Sequence, residues 1–180
     1  MASLVQMHVS VTAIGADRPG IVAAVTKVLL ERDANIEDSR MAILGGHFSM
    51  MLVVRPAPAD DATTLEAALA PAAKELGLTL DVRAIEDLGA ARPVGTPHLL
   101  SVYGADRPGI VHDVSEALAI AGVNIVDLRT HVTDSDPPVY IMLMDLEVPG
   151  DPTALEQHLK ELAAGRGIDV TLRSSDPDTL

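Results

Sequence analysis

Apolar residues along the chain fall into two kinds of run. Some are dense in β-branched residues or alternate with polar ones, and others recur every three or four positions. An extended stretch, Val5–Ile14, comes first and stops at a glycine. A helical pattern follows, with Ile21, Val22, Val25 and Leu29 on one face. Two more extended stretches, Ile36–Leu44 and Phe48–Val54, flank Gly45-Gly46-His47, which predicts a hairpin. A second helix places Leu65, Leu69, Ala72 and Leu76 at core spacing, closes at Gly77, and leads into a strand over Leu78–Ile85. The series then begins again. A strand over His98–Tyr103 precedes a helix with Ile110, Val111, Val114 and Leu118; strands Ile125–Thr133 and Val139–Val148 flank Asp134–Pro138. A helix with Leu155, Leu159 and Leu162 closes at Gly165, and Ile168–Leu172 forms the last strand. Left-handed caps are expected near Asp33-Ala34-Asn35 and Gly122-Val123-Asn124.

The order β-α-β-β-α-β, twice, predicts an α+β chain of two ferredoxin-like units. Each is a four-stranded antiparallel sheet with its helices on one face and strand order 4-1-3-2. The repeat is also literal. Residues 15–40 and 104–129 align without a gap at an offset of 89, with 14 of 26 positions identical and GADRPGIV shared whole. The expected boundaries are a first unit at 1–88, a linker at 89–96, a second unit at 97–174 and a tail at 175–180.

In GADRPG, Gly15 and Gly104 let the chain leave the first strand sharply. Asp17 and Asp106 suit a helix N-cap, and Pro19 and Pro108 suit the first helical turn. Gly20 and Gly109 leave the helix start uncovered, so outward N–H groups with the positive helix end behind them can receive a small carboxylate. The aspartate can receive an ammonium group. A purely structural turn uses the same residues. The two copies nevertheless keep all eight residues while ten of the next thirteen positions differ, and a cap alone tolerates Ser, Thr or Asn. Asn35-Ile36 and Asn124-Ile125 stay fixed as well; Asn suits a left-handed cap and also offers an amide.

Charge and composition exclude several functions. The net charge is −13, with 12 acidic against 7 basic residues in 1–90 and 14 against 6 in 91–180. Such a surface repels phosphates, and one Phe and two Tyr supply no base-stacking platform, so no direct nucleic-acid binding is expected. There is no cysteine, hence no disulfide or thiolate chemistry. No apolar run reaches the roughly 20 residues of a membrane span, and the start lacks a basic stretch leading into an apolar one. A cytoplasmic protein without membrane association is expected. The six histidines never fall at metal-ligand spacing, and no nucleophile elbow, phosphate loop or dinucleotide fingerprint is present. No catalytic residue, metal or cofactor is expected.

A first strand, G-x-D-R-P-G-I-V, an amphipathic helix and N-I at the second strand resemble the ACT domain signature, in both copies and over nearly the whole chain. As a pair of ACT units with no catalytic domain attached, the chain resembles the glycine cleavage system transcriptional repressor family. The resemblance implies a non-enzymatic regulatory protein that senses a small amino acid, glycine or similar, at ACT-domain interfaces. It would act through protein partners, including a DNA-binding activator, in transcriptional regulation. A regulatory subunit of an amino-acid metabolic enzyme made from another chain is the alternative. Ligand contacts carried over are Gly15, Ala16, Asp17, Asn35 and Ile36 in the first unit, and Gly104, Ala105, Asp106, Asn124 and Ile125 in the second.

Two further expectations come from the residues themselves. The copies differ at Ala23 against His112 and Ala24 against Asp113, so one site should be better formed than the other. The third strands, Met50–Val54 and Tyr140–Met144, are apolar on both faces, which predicts burial on both. Helices cover one face only, so a homodimer or larger assembly is expected.

Overall fold

The computed structural model describes residues 7–85 and 95–175. Most of the expected linker and all but Ser175 of the expected tail lie outside them. Internal contacts divide the chain into two units, Met1–Ala90 and Ala91–Leu180. In the first, β1 (His8–Ala16), α1 (Ile21–Glu31), β2 (Asn35–Leu44), β3 (His47–Arg55), α2 (Ala62–Leu76) and β4 (Thr79–Ile85) follow in order. The second repeats them as β5 (Thr96–Gly104), α3 (Ile110–Ile120), β6 (Asn124–Val132), β7 (Tyr140–Val148), α4 (Thr153–Arg166) and β8 (Ile168–Ser174). Each sheet is antiparallel, ordered β2-β3-β1-β4 and β6-β7-β5-β8. This is the expected α+β architecture, twice.

Strand alternation decides which face the helices cover. In the first unit Val9, Val11 and Ala13 of β1 and Phe48, Met50, Leu52 and Val54 of β3 share a core with Ile21, Val25 and Leu29 of α1 and Leu65 and Leu69 of α2. In the second, Leu100, Val102, Met142, Met144 and Leu146 meet Ile110, Val114 and Leu118 of α3 and Leu155 and Leu159 of α4. Within each unit, the described helices pack on this one face of the sheet. The interposed residues of β3 do not reach the burial the sequence suggests within their unit: Val53 is half-buried and Met51 is 55% exposed. Ile141 and Leu143 of β7 are half-buried.

Helix ends depart from expectation in instructive ways. The N-caps of α1 and α3 are Gly20 (φ 95°) and Gly109 (φ 98°), with no side-chain cap bond. Asp17 and Asp106 therefore do not cap, and the prolines precede the helices. Left-handed geometry does follow α1 at Asp33 and α3 at Gly122, whereas Asn35 and Asn124 already begin strands. Helix α2 has a capping box not apparent from apolar spacing, in which Asp61 Oδ1 accepts from Thr64 N–H (2.8 Å) and Thr64 Oγ1 from Asp61 N–H (2.7 Å). Helix α4 runs through Gly165 and is capped by Gly167, two residues beyond the expected stop. The Arg32 guanidinium holds the buried Asp60 carboxylate through two contacts, tying the end of α1 to the loop before α2.

Gly15 serves a different purpose from the one its turn position suggests. Strand β1 continues through it to Ala16, and a Cβ there would sit 2.7 Å from Leu78 Cδ2 and 3.0 Å from Gly77 O. At Gly104 a Cβ would sit 2.7 Å from Ile168 Cγ2. Both glycines permit close passage of the central strand beside the junction between second helix and last strand. Gly15→Ala is expected to destabilise the chain by about 1–3 kcal/mol, measured by urea unfolding, whereas Gly45→Asn at the open hairpin tip should change little.

Candidate functional site

The candidate site forms where β1 hands the chain to α1. Asp17 N–H donates to Gly46 O (2.9 Å), pinning the turn to the β2–β3 hairpin. The chain then crosses Arg18 and Pro19 and enters α1 at Gly20. Hydrogen bonding within α1 begins with Ala24 N–H to Gly20 O (2.9 Å), so the N–H groups of Ile21, Val22 and Ala23 have no acceptor inside the helix. A Cβ at Gly20 would meet nothing within 4 Å. Glycine stands there for its left-handed φ, and its smallness keeps the helix start open.

Beside this helix end lies a cleft of about 520 Å³. One wall is the turn, from Asp17 to Ala23; the other is Met41 and Ile43 of edge strand β2, with Phe48 of β3 at its base. Met41 and Ile43 alternate onto the helix-covered side of the sheet, yet both remain exposed. The cleft thus joins unsatisfied backbone donors and the positive end of a helix to a carboxylate and an apolar wall. Zwitterionic small molecules match that combination. These two β2 residues escape a reading of the turn motif; their signal is apolar alternation on a strand at the sheet edge.

The structure brings together only part of the expected set. Gly15, Ala16 and Asp17 lie at the end of β1 and start of the turn, with Ala16 opposite His47. Asn35 is exposed and opposite Arg55, eight residues along β2 from Ile43, roughly 26 Å at strand rise. Ile36 packs against the first core. In the second unit Gly104 faces Tyr140, Ala105 and Asp106 are exposed in the turn, Asn124 faces Glu147, and Ile125 packs against the second core.

The two turns differ in what surrounds them. Asp113, where the first unit has Ala24, forms an ion pair with Arg166 of α4. The Arg166 guanidinium lies 3.6 Å from where a Cβ on Gly109 would be, and its carbonyl accepts from Arg107 Nη1 at 3.5 Å. That position belongs to an arginine in the second unit and is open in the first. Phe48 is replaced by Tyr140, whose hydroxyl lies 3.8 Å from Met142 Sδ. Burial, and secondarily the Asp106 charge, raises the Tyr140 pKa above its ordinary value. Among the described residues no cluster of three or more His, Cys, Asp or Glu is arranged to hold a metal ion. No helix among them is long and apolar enough to cross a membrane.

Fold, repeat and turn together define an ACT-domain protein. The ACT domain family matches residues 8–83 and again residues 98–164, and the chain belongs to that family as a tandem pair. It is 32% identical over 137 residues to the glycine cleavage system transcriptional repressor of Escherichia coli K12, covering 73% of this chain and 69% of that one. The crystal structure of an unknown protein from Galdieria sulphuraria is similar, with TM-score 0.83 and 30% identity, covering 94% of this chain and 99% of that one. Phosphoserine phosphatase SerB2 of Mycobacterium tuberculosis is 29% identical over 172 residues, which is 93% of this chain and 41% of that enzyme.

The raised Tyr140 pKa carries a sign. A phenol favoured as neutral in the folded state contributes stability below the unfolded value near 10, and that contribution is lost as pH rises through the folded value. Spectrophotometric titration is expected to place Tyr140 above the ordinary range, with Asp106→Asn lowering its midpoint and Tyr140→Phe removing the alkaline loss of stability.

Proposed function

We propose that this chain is a non-enzymatic regulatory protein that senses a small amino acid through its β1–α1 turns and acts through protein partners. The observation that carries the reading is the cleft at the start of α1. Its Asp17 makes no helix cap, so the capping explanation for that fixed aspartate is removed. The ligand carboxylate meets the N–H groups of the first turn, the ammonium meets Asp17, and a short side chain meets Met41 and Ile43. Glycine or a similarly small amino acid suits a backbone-lined turn.

Asn35-Ile36 enters this reading only through a neighbour. Strand β2 is an edge, and a second ACT unit pairing antiparallel along such an edge carries its own Asn toward the turn. The half-exposed apolar side of β3 supports a homodimer or larger assembly, and the acidic charge supports action without direct DNA contact. Likeness to a transcriptional repressor supports a DNA-binding activator as target. The match to a phosphatase over 41% of its length favours a second reading, regulation of an amino-acid metabolic enzyme on another chain. Co-purification with an enzyme rather than a transcription factor separates the two.

Thermal-shift titration with the twenty amino acids tests the sensing reading. A binder at a hundred times its Kd should stabilise the chain by about 2.7 kcal/mol, and Asp17→Ala should weaken it more than Asp106→Ala, because the second turn is flanked by Arg166. No shift with any amino acid contradicts the reading. Sedimentation should give at least a dimer at micromolar concentration; a monomer contradicts the assembly.

A further inference from the structure

We propose that the groove between α3 and α4 is a docking surface for a basic, amphipathic helix of a partner protein. The inference rests on the reading that the chain acts through protein partners, and it names where and with what chemistry. The groove is open to solvent, with a volume of about 430 Å³, and His158 of α4 also lines it. Ala117, Leu162 and the 78%-exposed Ile120 supply its apolar surface, and Glu116 and Glu161 stand on opposite helices along it. At one end the Asp113–Arg166 pair links the two helices.

Gly165 is the observation that turns a surface into a docking site. It lies inside α4, where glycine weakens a helix relative to alanine. Its φ is not in the left-handed region, and a Cβ there would meet nothing within 4 Å. Neither the backbone nor the packing of this unit requires it. A bare position lining a groove admits the close approach of another backbone.

The other copy lacks the arrangement. Matching Leu65 and Leu69 of α2 to Leu155 and Leu159 of α4, the first-unit counterparts of Glu116, Ile120, Glu161 and Gly165 are Lys27, Glu31, Pro71 and Glu75. Charge, apolar knob and bare helix position thus occur together in the second unit alone. Two carboxylates flanking an apolar strip select lysine or arginine flanking an apolar face, the pattern of a helix seated in a groove. Anionic membranes and nucleic acids are repelled by the same carboxylates.

Fluorescence anisotropy of the full chain with a labelled helical peptide of about 16 residues, carrying leucines at i, i+4 spacing flanked by lysines, tests the proposal. Glu116→Lys with Glu161→Lys should weaken binding at least about tenfold. Glu31→Lys with Glu75→Lys, the same charge change on the first unit, should weaken it less than about twofold. Gly165→Leu should weaken it as much as the groove reversal while leaving the melting temperature unchanged or raised. Equal loss in both charge reversals, binding indifferent to Gly165→Leu, or no binding by the unaltered chain overturns the proposal. None of these outcomes touches amino-acid binding, which the thermal-shift titration reads separately.

Discussion

Each unit depends on how closely its central strand passes the turn that follows its second helix. Strand β1 lies between β3 and β4, so it carries the sheet, yet its end must also lie beside Leu78 and the carbonyl of Gly77. A Cβ there would force Leu78 and the Gly77 carbonyl to shift, and Gly104 meets the same demand against Ile168. Because the strand can run close past that junction, it continues one residue further, to Ala16. The chain then has four residues in which to turn before α1 begins. A left-handed glycine completes the turn, and the helix starts without a side-chain cap. The open N–H groups of the candidate site are thus a consequence of strand packing as much as of the turn.

That sequence of constraints shows why parts of the molecule were legible and others were not. Strand and helix order followed from periodicity because each unit buries one face of its sheet under two helices, and burial imposes the periods of two and 3.6. The exact repeat supplied an internal check. Helix ends were read less well. Asp17 looked like an N-cap because its residue type and its distance from Pro19 suit one; what decides is the φ of Gly20, which carries no local signal distinguishing it from a turn glycine. Gly165 looked like a helix stop for the same reason, with Gly167 two residues on performing that task.

The candidate site was legible only in its turn. Eight identical residues in two copies pointed to Asp17 and Gly20, but the facing wall came from Met41 and Ile43, which have no identical counterparts in the other copy: the register places Thr130 and Val132 there. Conversely, Asn35-Ile36 was fixed between copies and lies at the other end of its strand. Identity between copies reports what both units need, and a bulge follows Ile36 and Ile125 at the same place in both. Packing of Ile36 and Ile125 against their cores accounts for part of that constancy without a ligand.

Duplication followed by divergence gives the two units different surfaces on one scaffold. Ala24 leaves the flank of the first cleft open, while Asp113 recruits Arg166 to the matching place in the second. The Arg166 guanidinium, paired with Asp113, lies beside Gly109 and adds positive charge next to the helix N–H groups of the second turn. The same pair, absent from the first unit where Ala24 and Leu76 stand, ties α3 to α4. Two residue changes, Ala24 to Asp113 and Leu76 to Arg166, therefore act together on both sides of α3: they fill the neighbourhood of the β5–α3 turn and brace the α3–α4 pair. The second turn is thereby flanked by an ion pair, and the first unit keeps the open cleft.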